Sequence, residues 1–285
     1  MQIAHRIDEL RSQVRTWRQA GERIALVPTM GNLHQGHLAL VDSARELAPR
    51  CVASIFVNPL QFGPQEDLQN YPSTLEQDCA QLIEHKTDLL FVPNVSEIYP
   101  RPLEHMTQIE VPGLSRILCG TARPGHFAGV ATVVAKLFNM VQPDVAVFGE
   151  KDWQQLMVIR RMTADLNLPI DIVGVPTVRE TDGLAMSSRN GYLSAAERHI
   201  APNLHATLKS AAQRLLAGER NFLAIETDAL QTLSTTGFKP DYFHIRRAED
   251  LAEPQHSDQQ LIVIAAAWLG RARLIDNYPV TVGDT

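Results

Sequence analysis

His34 and His37 stand three residues apart in the run Val27-Pro28-Thr29-Met30-Gly31-Asn32-Leu33-His34-Gln35-Gly36-His37, with two glycines beside them. Imidazole N–H groups can donate hydrogen bonds to phosphate oxygens as charge develops there. Gly31 and Gly36 remove side chains where the main chain must pass close to a ligand. The residues before this run predict a strand and those after it a helix. In an open parallel sheet, ligands bind beyond the carboxyl ends of strands, where a helix N-terminus offers N–H groups and a positive dipole to anions. The pattern therefore points to phosphate. Two readings stand beside it: histidines with no ligand, and a pair of zinc ligands, although no Cys or acidic third ligand is evident nearby.

A second segment, Phe148-Gly149-Glu150-Lys151-Asp152, again follows a strand and precedes a helix. Lys151 would approach phosphates as a point charge, Gly149 would permit the turn, and one of Gln154 and Gln155 should face the cleft. A third, Met186-Ser187-Ser188-Arg189-Asn190, sets two hydroxyls before a cation in a polar linker. That composition suits a mobile clamp over a triphosphate. Either segment alone also reads as a solvated loop. Three anion-facing segments at the expected sheet edges read as one nucleotide site.

The elements that must position these groups follow from hydrophobic periodicity. Strands are expected at Arg23 to Pro28, Val52 to Val57, Asp88 to Val92, Asp144 to Phe148 and Asp171 to Val175. Helices are expected at His37 to Leu47, Thr74 to His85, Gly129 to Val141 and Trp153 to Leu166. Strand and helix alternate, as in a parallel sheet covered by helices. After Val175 the pattern changes to a polar linker, two helices at Ala195 to Ala217 and Phe222 to Thr235, and strands at Leu261 to Trp268 and Arg271 to Asp276 joined by a turn at Leu269 and Gly270. The fold class is thus α/β, a Rossmann-like parallel-sheet domain over residues 1–176 with a smaller C-terminal α+β domain over residues 177–285.

Composition narrows the partners. The 285 residues carry 26 Lys and Arg against 32 Asp and Glu, a formal charge of -6, with the cations scattered. Nucleic-acid binding rests on phosphate neutralisation by clustered cations, so it is not expected here, whereas one triphosphate needs only a few. The three cysteines, Cys51, Cys79 and Cys119, lie far apart and form no Cys-x-x-Cys pair. They suggest neither a disulfide framework nor a thiolate metal site, and fit a reducing cytoplasm. The longest apolar run, Leu261 to Leu269, is too short to cross a bilayer. Ile7, Leu10, Val14 and Trp17 repeat at helical spacing with Arg between them, but Asp8 and Glu9 mark a surface helix rather than a transit peptide.

The His-x-Gly-His pattern and the downstream Ser-Ser-Arg loop together resemble the nucleotidyltransferase superfamily that includes class I aminoacyl-tRNA synthetases. The phrases Pro28-Thr-Met-Gly-Asn-Leu-His-Gln-Gly-His37, Phe56-Val-Asn-Pro-Leu-Gln-Phe62, Arg123-Pro-Gly-His-Phe127, Phe148-Gly-Glu-Lys-Asp152 and Met186-Ser-Ser-Arg-Asn190 resemble the pantothenate synthetase family in particular, as does Trp268-Leu-Gly-Arg-Ala-Arg-Leu-Ile-Asp-Asn277. The similarity covers essentially the whole chain.

That resemblance implies ATP along Met30, Gly31, Asn32, Leu33, His34, Gln35, Gly36 and His37, along Gly149, Glu150, Lys151 and Asp152, and at Val178, Met186, Ser187, Ser188 and Arg189. His37 is the proton donor it implies, with His34, Lys151, Ser187, Ser188 and Arg189 as further catalytic groups. Gln61 and Gln155 would hold pantoate, with Asn58, Tyr71, Arg123 and His126 lining or bordering its pocket. ATP enters as a substrate with Mg2+. The first lysine of the synthetase-type loop is absent, and Gln77 precedes Asp78 where more acid would be expected near a metal, so no protein ligand for magnesium is assigned. A homodimer is implied by the resemblance alone.

The reaction it implies is attack of the pantoate carboxylate on the α-phosphorus of ATP, giving pantoyl adenylate and pyrophosphate, then attack by the amine of β-alanine with loss of AMP. Two other functions remain open at this point: a cofactor adenylyltransferase of the same superfamily, and a noncatalytic nucleotide-binding sensor.

Overall fold

The computed structural model describes residues 1–63, 68 and 74–283. The chain forms two compact units, one of Met1–Glu150 with Gln155–Pro176, the other of Lys151–Gln154 with the chain from Thr177 onward. Within the second unit, the Trp153 indole N–H donates to the Ala248 carbonyl at 3.0 Å, which binds the short segment 151–154 to its own unit.

In chain order the first unit contains β1 (Gln2–Ala4), α1 (Ile7–Gln19), β2 (Ile24–Thr29), α2 (Gln35–Leu47), β3 (Arg50–Ile55), α3 (Leu75–Glu84), β4 (Leu89–Phe91), α4 (Val95–Ile98), α5 (Cys119–Ala122), α6 (His126–Val141) and β5 (Val145–Gly149). After α7 (Trp153–Asp165) comes β6 (Asp171–Val175). The six strands form one parallel sheet in the order β1-β4-β3-β2-β5-β6. From β2 the chain runs outward through β3 to β4, then returns to place β5 on the other side of β2. The order reverses between β2 and β5, and such a switch point opens a crevice beyond the carboxyl ends of the two strands.

Ile24, Ala25, Leu26 and Val27 are fully buried, as expected of a strand covered on both faces. Ala25, Val27, Cys51, Ala53, Val145 and Val147 pack with Leu40, Val41 and Ala44 of α2. The α/β reading holds, and the sequence boundaries shift by only a few residues. Helix α2 starts at Gln35 because His34 caps it, and α6 starts at His126 rather than Gly129. Strand β1, only three residues long, has too little pattern to be read locally.

The second unit contains α8 (Ala195–Ile200), α9 (Asn203–Leu216), α10 (Phe222–Thr235) and an antiparallel sheet of β7 (Lys239–Arg247), β8 (Gln260–Leu269) and β9 (Ala272–Thr281) in that order. Three expectations need correction. The single helix from Ala195 to Ala217 is two, because Pro202 has no N–H to donate to the carbonyl four residues back. The hairpin turn is Gly270–Arg271, since Leu269 pairs with Ala272, and Gly270 takes the positive φ of 55° that the tight turn requires. The strand expected to end at Asp276 continues to Thr281, and β7 was not expected at all: Pro240 and alternating charges weaken its pattern, and the register shifts between Pro240 and Tyr242. Leu204, Leu208, Leu215, Ile225 and Leu233 of the helices pack with Phe243, Ile245, Leu261, Val263 and Leu274 of the sheet.

Candidate active site

The loop from β2 to α2 lies at the switch point of the first unit. Gly31 has φ +83°, and an added Cβ would meet Ile55 Cγ2 at 3.1 Å and Asp78 Oδ2 at 3.2 Å. Asn32 follows with φ +52°, so two left-handed residues in succession turn the chain. This conformation is held by Asp78, which is buried on α3. Its Oδ2 accepts from the Asn32 N–H at 2.9 Å, and its Oδ1 accepts from the Leu33 N–H at 2.9 Å and the Thr74 hydroxyl at 3.1 Å. The sequence alone presents Asp78 only as an acid near a metal. A signal for its structural role is there nonetheless: with Leu75 and Leu82 it lies on one helical stripe, and an acid on an apolar stripe needs specific partners.

His34 caps α2. Its Nδ1 accepts from the Gly36 N–H at 3.1 Å, while His37 Nδ1 accepts from the His34 N–H at 3.3 Å. An accepting nitrogen carries no hydrogen, so each neutral ring bears its proton on Nε2. The rings lie 4.1 Å apart, centroid to centroid. Two imidazole donors are thus oriented by the main chain at the N-terminus of a helix, next to the end of β2. Met30, Asn32, Gly36 and His37 are half-buried around them, Gln35 is exposed, and the Leu33 side chain joins the core while its N–H goes to Asp78. At the end of β5, Gly149 pairs with Val175 in extended conformation, so it forms strand rather than the turn expected of it. The Glu150 carboxylate lies over Gly174, with Oε1 3.0 Å from where a Cβ would stand.

Gln61 sits in a short turn, Pro59–Gln61, capped by Asn58. Asn58 is fully buried and its amide can face only one way. Its Oδ1 accepts from the Leu60 N–H at 3.3 Å and the Tyr99 hydroxyl at 2.8 Å, while its Nδ2 donates to the Gly129 carbonyl at 3.0 Å. The other Nδ2 hydrogen goes to Gln61 Oε1 at 2.8 Å. This bond fixes the Gln61 side-chain oxygen toward Asn58 and its NH2 away from it. Burial pushes the Tyr99 phenol up and keeps it a neutral donor.

Arg123 and His126 act behind this amide. The main-chain carbonyl of Gln61 accepts from His126 Nδ1 at 2.8 Å and from Arg123 Nη2 at 3.2 Å, while Arg123 Nη1 donates to His126 Nε2 at 3.0 Å. Gly129 lets α6 approach the same turn, since a Cβ there would lie 2.2 Å from the Leu60 carbonyl oxygen. Tyr99 and Gly129 escaped the sequence reading because each is distant in sequence from the turn it supports. Gln155, on α7, is half-buried, and Tyr71 lies outside the described residues.

In the second unit, Val178 and Met186 begin and end a small hairpin closed by Met186 N–H to Val178 carbonyl at 3.0 Å and Glu180 N–H to Leu184 carbonyl at 2.8 Å. Ser187 then caps a 3-10 turn, Ser188–Tyr192, accepting from the Arg189 N–H at 3.3 Å. Asn190 Nδ2 donates to the Ala185 carbonyl at 3.1 Å. The part of the polar linker expected to serve as a mobile clamp holds Ser187, Ser188 and Arg189 together in a hydrogen-bonded turn. Lys151, in the same unit, stands 3.7 Å from the Asp152 carboxylate. Among the described residues, no group of three or more His, Cys, Asp or Glu side chains gathers as a metal site.

The sequence matches the profile of the family described as Pantoate-beta-alanine ligase over residues 2–279. The chain belongs to the pantoate-beta-alanine ligase family. It is 56% identical over 280 residues to the pantothenate synthetase of Nitrosococcus oceani, covering 98% of both chains, and 57% identical over 280 residues to that of Thioalkalivibrio sulfidiphilus, again covering 98% of both. Its structure superposes with a TM-score of 0.91 on the pantothenate synthetase of Thermus thermophilus at 46% identity, over 98% of this chain and 99% of that one. The pantoate-beta-alanine ligase of Francisella tularensis, complexed with beta-gamma ATP and β-alanine, superposes with a TM-score of 0.82 at 33% identity, over 98% and 97% of the two chains. No helix among the described residues is long and apolar enough to cross a membrane.

Proposed function

We infer that the chain joins pantoate to β-alanine at the expense of ATP, through a pantoyl adenylate. Membership of the pantoate-beta-alanine ligase family supports this reaction, and the ligands of the Francisella tularensis enzyme support ATP and β-alanine as substrates. The observation that carries the assignment of roles is the pair of main-chain-oriented imidazole donors, His34 and His37, at the carboxyl end of β2.

In the first step a pantoate carboxylate oxygen attacks the α-phosphorus, the bond to the bridging oxygen breaks, and pyrophosphate leaves with the electron pair. No protein nucleophile is needed, so catalysis rests on orientation and on neutralising charge. His34 and His37 donate from Nε2 to oxygens that gain charge, and His37 serves as the proton donor. Met30, Gly31, Asn32, Gln35 and Gly36 border the nucleotide, as do Gly149, Glu150, Asp152, Val178 and Met186. Lys151, Ser187, Ser188 and Arg189 supply cations and hydroxyls to the phosphates. Gln61 donates through its NH2 to a pantoate oxygen, Gln155 takes a second polar group, and Asn58, Arg123 and His126 hold Gln61 in place. A site built to hydrogen-bond both hydroxyls rejects analogues lacking them by roughly 10⁴-fold. In the second step the neutral amine of β-alanine attacks the activated carbonyl and AMP departs.

Mg2+ fits as an ion carried by the phosphates and water, where it would offset charge on the leaving group. The chain is proposed to work as a homodimer in the cytoplasm, with its domains dividing between residues 176 and 177 and the segment 151–154 belonging to the second. The test is pantoate-dependent exchange of labelled pyrophosphate into ATP in the absence of β-alanine. Exchange is expected; its absence at saturating ATP and pantoate overturns the adenylate route.

A further inference from the structure

Asp276 and Asn277 end the run from Trp268 that the reaction leaves without a role. Both are buried in the second unit, at 3% and 2% exposure, and interior polar groups need fixed partners. Asp276 grips the Arg179 guanidinium twice, Nη1 to Oδ2 at 2.7 Å and Nη2 to Oδ1 at 3.0 Å. Arg179 also donates to the Gly183 carbonyl at 3.1 Å and to the Asn277 carbonyl at 3.3 Å. The hairpin that feeds Ser187 is therefore tied to one point of β9. Gly183, with φ +93°, closes against His205, where a Cβ would lie 3.0 Å from Cδ2, and His205 Nδ1 stands 3.6 Å from Asp276 Oδ2.

Asn277 holds the other segment. Its Nδ2 donates to the main-chain carbonyl of Lys151 at 3.0 Å, and because that partner only accepts, the nitrogen must face it. Successive side chains on a strand leave it on opposite faces, so two neighbouring residues of β9 reach two segments far apart in sequence. We propose that Asp276 and Asn277 are positioning residues for adenylate formation, setting Lys151 in register with Ser187, Ser188 and Arg189. This rests on the reading above that those four side chains serve the triphosphate.

The test is a double-mutant cycle on the pyrophosphate exchange of the full chain. Asn277→Asp exchanges a donor for an acceptor of the same size opposite the Lys151 carbonyl, Asn277→Ala deletes the bond, and Asp276→Asn weakens the hold on Arg179. Each is expected to lower kcat by about 10²-fold, the scale of a misplacement of about 1 Å. The KM for pantoate should stay within about twofold, since uniform binding by Gln61 is untouched. In a Lys151→Ala background, the further loss on changing Asn277 should shrink to less than about threefold, because residues acting through one another are not additive. Equal losses in both backgrounds, unchanged kcat, or failure of all three variants to fold overturns the proposal. Lack of exchange in the unsubstituted chain would remove the adenylate reading as well; an active parent with normal Asn277 variants removes this inference alone.

Discussion

Asp78→Asn is the most informative single change in the first unit. The carboxylate accepts three hydrogen bonds at 2.9 to 3.1 Å and is 1% exposed. An amide of the same shape places NH2 where one oxygen was, so whichever way it turns, the N–H of Asn32 or of Leu33 faces a donor. A bond to a charged group is worth about 1.5–3 kcal/mol, and the surviving bonds weaken when the charge is lost. The sum is about 3 kcal/mol, which corresponds to a fall in Tm of about 6–12 °C. Activity should fall too. Gly31 and Asn32 are held left-handed by this carboxylate, and once it lets go the loop relaxes and His34 moves with it. Exchange kcat is expected to drop by about 10-fold or more. Thr74→Ala removes only the third bond and should cost about 1 kcal/mol with kcat nearly unchanged. Calorimetry and pyrophosphate exchange on both variants decide it. An Asp78→Asn protein with unaltered Tm, or with the modest profile of Thr74→Ala, would show that the loop does not depend on the carboxylate.

Other outcomes follow from the same geometry. His34→Asn retains a capping side chain for α2 but loses the Nε2 donor, so exchange should fall by about 10²-fold with Tm held within about 2 °C; normal exchange removes the phosphate role. Gly129→Ala drives a methyl into the Leu60 carbonyl and should raise the pantoate KM by about 10-fold while the ATP KM stays level, whereas Tyr99→Phe should cost less than about fivefold because the Leu60 N–H and Gly129 carbonyl still orient Asn58. Equal effects of the two changes would refute that ordering. Burial pushes the Asp276 carboxyl up, but its contacts with His205 and Arg179 outweigh this and hold it below its ordinary value of 3.8. A depressed carboxylate contributes stability that is complete above the unfolded value and lost as pH falls through the folded one. Acid unfolding should therefore steepen below about pH 4, and less so in Asp276→Asn. Denaturant titrations from about pH 3 to 6 measure this, and identical slopes in the two proteins would count against it.

What the sequence determined by itself was local. Apolar runs and helical periodicity are written in neighbouring residues, so most strands and α10 could be read to within a few positions, and the family phrases named the chemistry. Pro202 and Gly270 also carry their information locally, although the expected helix ran through one and the expected turn fell one residue early at the other. Tertiary structure decided everything that depends on partners distant in the chain. That Asp78 fastens the loop of His34, that Tyr99 and Gly129 fix the amide of Asn58 and through it that of Gln61, and that Asp276 and Asn277 hold Arg179 and Lys151 are facts about pairs separated by about forty to more than a hundred residues. A buried polar side chain declares only that it needs a partner; which one it finds is set by the packing of the whole unit.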